Sequence, residues 1–238
     1  MSLLALSLRS VLRGKRVVFV VALPLLIGVI TAMLAATAGD ADRTDAYGIL
    51  GGELLVLIVA LVGLVLGVNA FGDERDEGTL GLLLATTLSR PRIVLTKYAA
   101  AAVITWIACL PATIGCLILA TKTSLGLGTA VWSLLLSTAL ASAAYAALFV
   151  LLSLLLRRAI LVGLAYIVLW EGLLAGATTA FRHLSVSAYA SRVAGAPWPD
   201  PPFQNVADVS VLFAVVVLVC IAVAGVAASA WRLPRSHL

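Results

Sequence analysis

Apolar residues fall in six runs along the chain, at 17–38, 49–71, 99–120, 129–156, 159–179 and 209–231, and polar residues gather in short clusters between them. At a rise of 1.5 Å per residue, about 20 apolar residues carry a helix across the roughly 30 Å hydrocarbon layer, and every run meets that length. No alternation of polar and apolar residues competes for a strand, and a helix in lipid satisfies its own backbone N–H and C=O groups. The pattern predicts an all-α integral membrane protein with six transmembrane helices, residues 17–238 forming a single six-span domain.

Ahead of the first run, residues 1–16 carry a different periodicity. Leu4, Leu8, Val11 and Leu12 share one helical face, Arg9 and Arg13 the opposite one, and Leu6 breaks the pattern. Such a stretch suits an amphipathic helix lying in the membrane interface, with a plain extension of span one as the alternative. Ala36-Thr37-Ala38 has the look of a signal-cleavage site, yet the apolar run before it exceeds the about 7–15 residues of a signal core and five more runs follow. The first run therefore reads as an uncleaved span.

Composition agrees: charged residues make up 11% of the 238 residues, against about a quarter in soluble domains. The net charge of +5 gains meaning from its distribution. With the N-terminus inside, the segments 1–16, 72–98, 157–158 and 232–238 hold 12 Lys or Arg in 52 residues, whereas 39–48, 121–128 and 180–208 hold 4 in 47. Basic residues are retained on the cytoplasmic side, so both termini are expected inside, in a multi-pass protein of the cell inner (cytoplasmic) membrane. The basic excess then reports topology and calls for no nucleic acid partner.

One cytoplasmic segment is more than a polar connection. In "GDERDEGTLGLLLATTLSRPRIVLTKY", residues 72–98, the potential N-cap Thr79 opens a turn on which Leu80, Leu83 and Leu84 share a face. Ser89 and Pro91 then restart a helix into span three. An apolar helical face held outside the bilayer between charged flanks needs a protein partner, and spans two and three would both feel a push on it.

This stretch resembles the signature of the ABC-2 type permeases, the transmembrane subunits of ATP-binding cassette exporters. The matching positions are Glu74, Glu77, Gly78, Thr79, Leu80, Leu83, Leu84, Ala85, Ser89, Arg90 and Lys97, while Gly81 stands where an acidic residue is common and Thr87 where proline is common. The six-span layout, the amphipathic start and the long last outer loop are similar too. The resemblance implies a cytoplasmic coupling helix in residues 78–88, with Glu74, Glu77, Gly78, Thr79, Leu80, Leu83, Leu84, Ser89 and Arg90 at the interface with a separate ATPase. It implies two such ATPase subunits with ATP and Mg, and a second permease, identical or related. No G-x-x-x-x-G-K-[ST] occurs in this chain, so it has no phosphate-cradling loop of its own and no cofactor is expected on it. The expected cargo is an amphiphilic small molecule such as a drug, antibiotic or lipid, exported through the membrane.

Few other residues offer chemistry. Glu171 lies 13 residues beyond Arg158, about two thirds of the way across, where a charge costs about 2.5–3.5 kcal/mol unless it faces the bundle interior, water or a partner. It is a candidate for the translocation path, with a structural hydrogen bond or a cap on the outer segment as the alternative. Glu53, near the outer end of span two, is a second candidate. The first half of the outer segment 180–208 has the makings of a short amphipathic helix before the prolines of "APWPDPPFQN". The small-x-x-x-small pairs Gly63/Gly67 and Gly172/Gly176 read as packing. His183 and His237 are isolated, and Cys109, Cys116 and Cys220 sit inside spans, so no metal site or disulfide is expected. An ion-coupled transporter or channel would want more intramembrane polar groups, and a lipid-modifying enzyme a constellation of nucleophile and base. This chain is therefore not expected to be catalytic itself.

Overall fold

The computed structural model describes residues 15–37, 39, 46–76, 90–121, 127–174, 179–196 and 209–232. Of the N-terminal helix expected in 1–16, residues 1–14 lie outside the described residues, as does the segment 77–89. The elements are helical throughout: α1 (Lys15–Thr37), a π-helical segment π1 (Gly48–Leu54) running into α2 (Leu55–Asp76), α3 (Arg90–Ala120), α4 (Leu127–Leu155), α5 (Ala159–Ala165) running into a second π segment π2 (Tyr166–Leu174), then α6 (Thr179–Arg182), α7 (Val186–Ala194) and α8 (Val211–Arg232).

Five helices are long and apolar enough to cross a membrane: Val20–Thr37, Gly48–Gly72, Pro91–Ala120, Ala130–Leu155 and Val211–Arg232. They coincide with the first, second, third, fourth and sixth apolar runs. The fifth run forms a shorter helix, Ala159–Leu173, which reaches no more than about 22 Å at 1.5 Å per residue. The chain then folds back. The helix expected in the outer segment does form, as α7, but as part of the interior rather than as a surface element: Val186, Ala188, Tyr189, Ala190, Ser191, Val193 and Ala194 are all buried.

Helix α4 is the axis of the bundle, with α2, α3, α7 and α8 packed around it and α1 held mainly by α3. The contacts rest on small residues because lipid tails are as apolar as leucine, so helices gain from close van der Waals approach rather than from escaping water. Gly63 and Gly67 lie against Tyr145 and Phe149 of α4: a Cβ at Gly67 would come within 2.8 Å of Phe149 Cβ. Gly225 of α8 lies equally close to Ala147. At the α1–α3 crossing the backbones themselves touch. A Cβ at Gly115 would come within 2.5 Å of the Gly28 carbonyl oxygen, and one at Gly28 within 2.8 Å of the Pro111 carbonyl carbon.

Several hydroxyls inside these helices bond to their own helix backbone, in a medium without water to serve them. Thr105 donates to Ala101 O at 2.8 Å, Thr138 to Leu134 O at 2.9 Å and Ser142 to Thr138 O at 2.7 Å. At the end of the bundle that carries residues 77–89, Lys97 Nζ donates to the carbonyl of Ala70 and sits 4.7 Å from the Phe71 ring centre. This contact ties the end of α2 to the start of α3.

Candidate functional site

At the opposite end of α2 both regular helices widen. In π1 the Leu55 N–H bonds back five residues to Leu50 O, the pattern of a π-helix. Gly48, Gly51 and Gly52 make this possible: the buried Tyr47 ring lies 3.3 Å from where a Cβ on Gly51 would stand. Side chains of neighbouring helices also reach two carbonyls of this segment. Ser191 of α7 donates to Gly52 O at 2.6 Å, and the Cys116 thiol of α3 lies 3.7 Å from Leu50 O. π-Helical turns are rare and concentrate at functional sites.

The second widened segment, π2, carries Glu171, whose carboxyl group receives five donors. Tyr166 Oη donates to Oε1 at 2.9 Å and the Val186 N–H to the same oxygen at 3.1 Å. Oε2 accepts from the Ser185 hydroxyl, from the Ser187 hydroxyl at 2.6 Å and from the Ser187 N–H at 3.3 Å. Val186 and Ser187 are the first two residues of α7, whose leading N–H groups have no partner within the helix. Ser185, in the N-cap position with an extended backbone, accepts the Ala188 N–H at 3.3 Å through its hydroxyl. The Glu171 carboxyl group is thus set against a helix N-terminus, where backbone N–H groups and hydroxyls meet both of its oxygens. The fully buried Tyr145 hydroxyl faces it without the geometry of a hydrogen bond.

Helix α7 is fastened elsewhere as well. Its Ala190 carbonyl accepts the Ser137 hydroxyl of α4 at 2.6 Å, Tyr189 Oη donates to His183 O at 2.9 Å, and Arg192 Nε donates to Val209 O at 2.9 Å, just ahead of α8.

Between π1, π2 and α7 opens a cavity of about 310 Å³, of the size that holds small organic molecules. Glu53, Glu171, Arg182, Ser187 and Ser191 contribute its polar lining; Ile49, Leu54, Leu57 and Tyr145 contribute most of the rest. The two carboxylates singled out in the sequence, 118 residues apart, therefore line one cavity, each from a π-helical segment. They differ in state. Glu171 is half-buried and saturated with donors, while Glu53 is exposed and no described residue bonds its carboxylate.

The residues expected to meet an ATPase are not brought into view in the same way. Glu74 falls in the last turn of α2 and Arg90 is the first residue of α3, whereas Glu77, Gly78, Thr79, Leu80, Leu83, Leu84 and Ser89 lie outside the described residues. Sequence reasoning missed Ser185, Ser187 and Ser191, which hold α7 in place, and Arg182 in the cavity wall. The Ser-x-Ser pair before an alanine-rich turn was the available signal for a cap. Among the described residues no group of three or more His, Cys, Asp or Glu side chains could hold a metal.

No curated protein matches the chain. A family model described as "ABC-2 family transporter protein" matches residues 1–187, which takes in the first four spans, the charged segment 72–98, both π-helical segments and the start of α7. That family is the membrane component of ABC transporters, not catalytic itself, and implies an ABC ATPase as partner. Over three quarters of its length, then, this helical membrane protein fits one pattern, and it belongs to the ABC-2 family of transporters.

Proposed function

We propose that this chain is the permease subunit of an ABC exporter that moves an amphiphilic small molecule out of the cytoplasm, with the cavity between π1 and π2 on the translocation path. Residues 78–88 form the coupling helix in a cleft of a separate ATPase subunit, where Leu80, Leu83 and Leu84 make the apolar contact. Two permeases, identical or related, work with two ATPases that bind ATP and Mg. Both termini and residues 72–98 face the cytoplasm, the protein sits in the inner membrane, and the fifth segment with α6 and α7 folds back within the outer half as the sixth membrane element.

One observation supports this reading above the others. Helix α2 is unbroken from Leu55, directly after π1, to Asp76, directly before the segment that matches the family's coupling motif. At 1.5 Å per residue its 22 residues span about 33 Å. A push delivered near residue 77 therefore arrives, through a stiff rod, at Glu53 and the cavity. The rod ends on a segment able to yield, because a π-helix is a poorer hydrogen-bonded structure than the α-helix it can relax to. Lys97 makes α3 follow α2 at the driven end.

The test is to co-express the chain with its ATPase and assay retention and ligand-stimulated ATP hydrolysis in proteoliposomes. Leu83→Asp should release the ATPase without unfolding the permease, and Glu53→Gln should leave the ATPase bound while altering stimulation by ligand. Retention that ignores Leu83→Asp would refute the coupling helix. Uptake or efflux by the chain alone, driven by an ion gradient without nucleotide, would establish the ion-coupled alternative in its place.

A further inference from the structure

At the end of the bundle that carries residues 77–89, a second cavity of about 230 Å³ opens between α2, the end of α4 and the start of α5. We propose that it binds the phosphate of an anionic glycerophospholipid from the adjoining leaflet, the cytoplasmic one in the orientation given above.

Arg157 and Arg158, adjacent in the turn that joins α4 to α5, stand at its wall together with Asn69, Gly72 and Ser153. Both arginines are exposed, and among the described residues no carboxylate is in ion-pair contact with either. A guanidinium presents a planar fork of donors that matches two phosphate oxygens, which a lone ammonium cannot do. The floor has room. A Cβ placed on Gly72 would meet nothing nearer than Val68 Cγ1 at 4.0 Å.

The rim decides between a lipid and a soluble phosphate compound. Ile160 and Leu161, which line the cavity next to the arginines, are 47% and 61% exposed, and on the following turn Leu164 is 42% exposed. A headgroup held by the arginines would lay its acyl chains along this face. The depth is also right, since the cavity lies where the spans Gly48–Gly72 and Ala130–Leu155 both end, and basic pockets between helices at that level suit anionic headgroups. A lipid wedged there would hold the α4–α5 turn against α2, the helix that leads to the coupling segment.

The full-length protein, assembled in nanodiscs of phosphatidylcholine and phosphatidylglycerol and then extracted into detergent, should retain phosphatidylglycerol selectively when the bound lipid is weighed by native mass spectrometry. Replacing both arginines, R157Q with R158Q, should lower that selectivity about tenfold or more, the scale expected for two arginines at an anionic surface. Gly72→Leu, which fills the cavity without changing charge and improves helix propensity, should lower it as well. Arg92→Gln, a change of an exposed arginine at the same membrane level outside the cavity, should not. Equal retention of the two lipids by the wild type would overturn the proposal, as would the same loss in Arg92→Gln, which would reduce the effect to surface charge. Displacement of the lipid by glycerol 1-phosphate at equal concentration would make the occupant a soluble phosphate, and selectivity unmoved by the arginine pair would overturn the proposal.

Discussion

The α1–α3 crossing and the cavity region are built from the same kind of residue and do opposite things with it. At the crossing, Gly28 and Gly115 let two helix backbones touch, and each helix carries one interior proline, Pro24 or Pro111, that removes a backbone donor. In π1, Gly51 and Gly52 let the helix widen instead, and its carbonyls are answered by Ser191 and Cys116 from other helices. A medium without water allows both solutions, because it demands only that each polar group find a partner. The first gives a dry, rigid contact; the second gives a concave, polar surface whose stability depends on side chains that can let go.

That difference can be broken at four places. The largest effect is expected from Gly115→Leu, whose Cβ alone would stand 2.9 Å from Gly28 Cα. Neither backbone can retreat cheaply, so α1 should separate from α3, with a loss above about 3 kcal/mol and a protein that fails to survive detergent extraction at wild-type yield. Next comes Glu171→Ala, which strips the acceptor from the Val186 and Ser187 N–H groups and should cost about 3 kcal/mol in a thermal melt. Glu171→Gln should fall in between. Its oxygen can serve one backbone N–H, but its amide sets a donor against the other, and only the hydroxyls can turn round to accept. A Gln variant as stable as wild type would show that one oxygen suffices.

A smaller effect is expected from Ser191→Ala, which removes the hydroxyl donor to Gly52 O at a cost of about 1 kcal/mol. Its signature is local: amide hydrogen exchange should quicken in Gly48–Leu54 and stay unchanged in the lower half of α2. Glu53→Gln should have the smallest effect on stability, with no measurable change in melting temperature, because the side chain is exposed and bonds no described residue. If this change also leaves ligand-stimulated ATP hydrolysis untouched, the cavity is a feature of packing and not of transport.

Much of the bundle was legible in the chain. The apolar runs at 17–38, 49–71, 99–120, 129–156 and 209–231 correspond to five span-length helices with ends within a few residues, apart from the third, whose helix begins at Arg90. The pair Gly63/Gly67 was legible as packing and meets Tyr145 and Phe149. Glu171 was legible as costly, since a charge at that depth must be satisfied, but most of its partners were not: Tyr166 lies one π-turn back, while the other donors come from residues 185–187, beyond the reach of any periodicity. The run 159–179 was the hardest to read. Its hydropathy is that of a span, yet the helix described there, Ala159–Leu173, is shorter than a span.

By itself, the order of apolar and polar residues determined that this is a helical membrane protein and which stretches are apolar enough to enter lipid, because the cost of exposing a backbone or a charge to hydrocarbon is set locally, residue by residue. Only the tertiary structure decided that two helices widen, that Glu53 and Glu171 face one cavity and that α7 is capped from π2. Those outcomes depend on which donor from elsewhere in the chain arrives beside an opened carbonyl or a buried carboxylate, and that pairing exists only once the helices have packed.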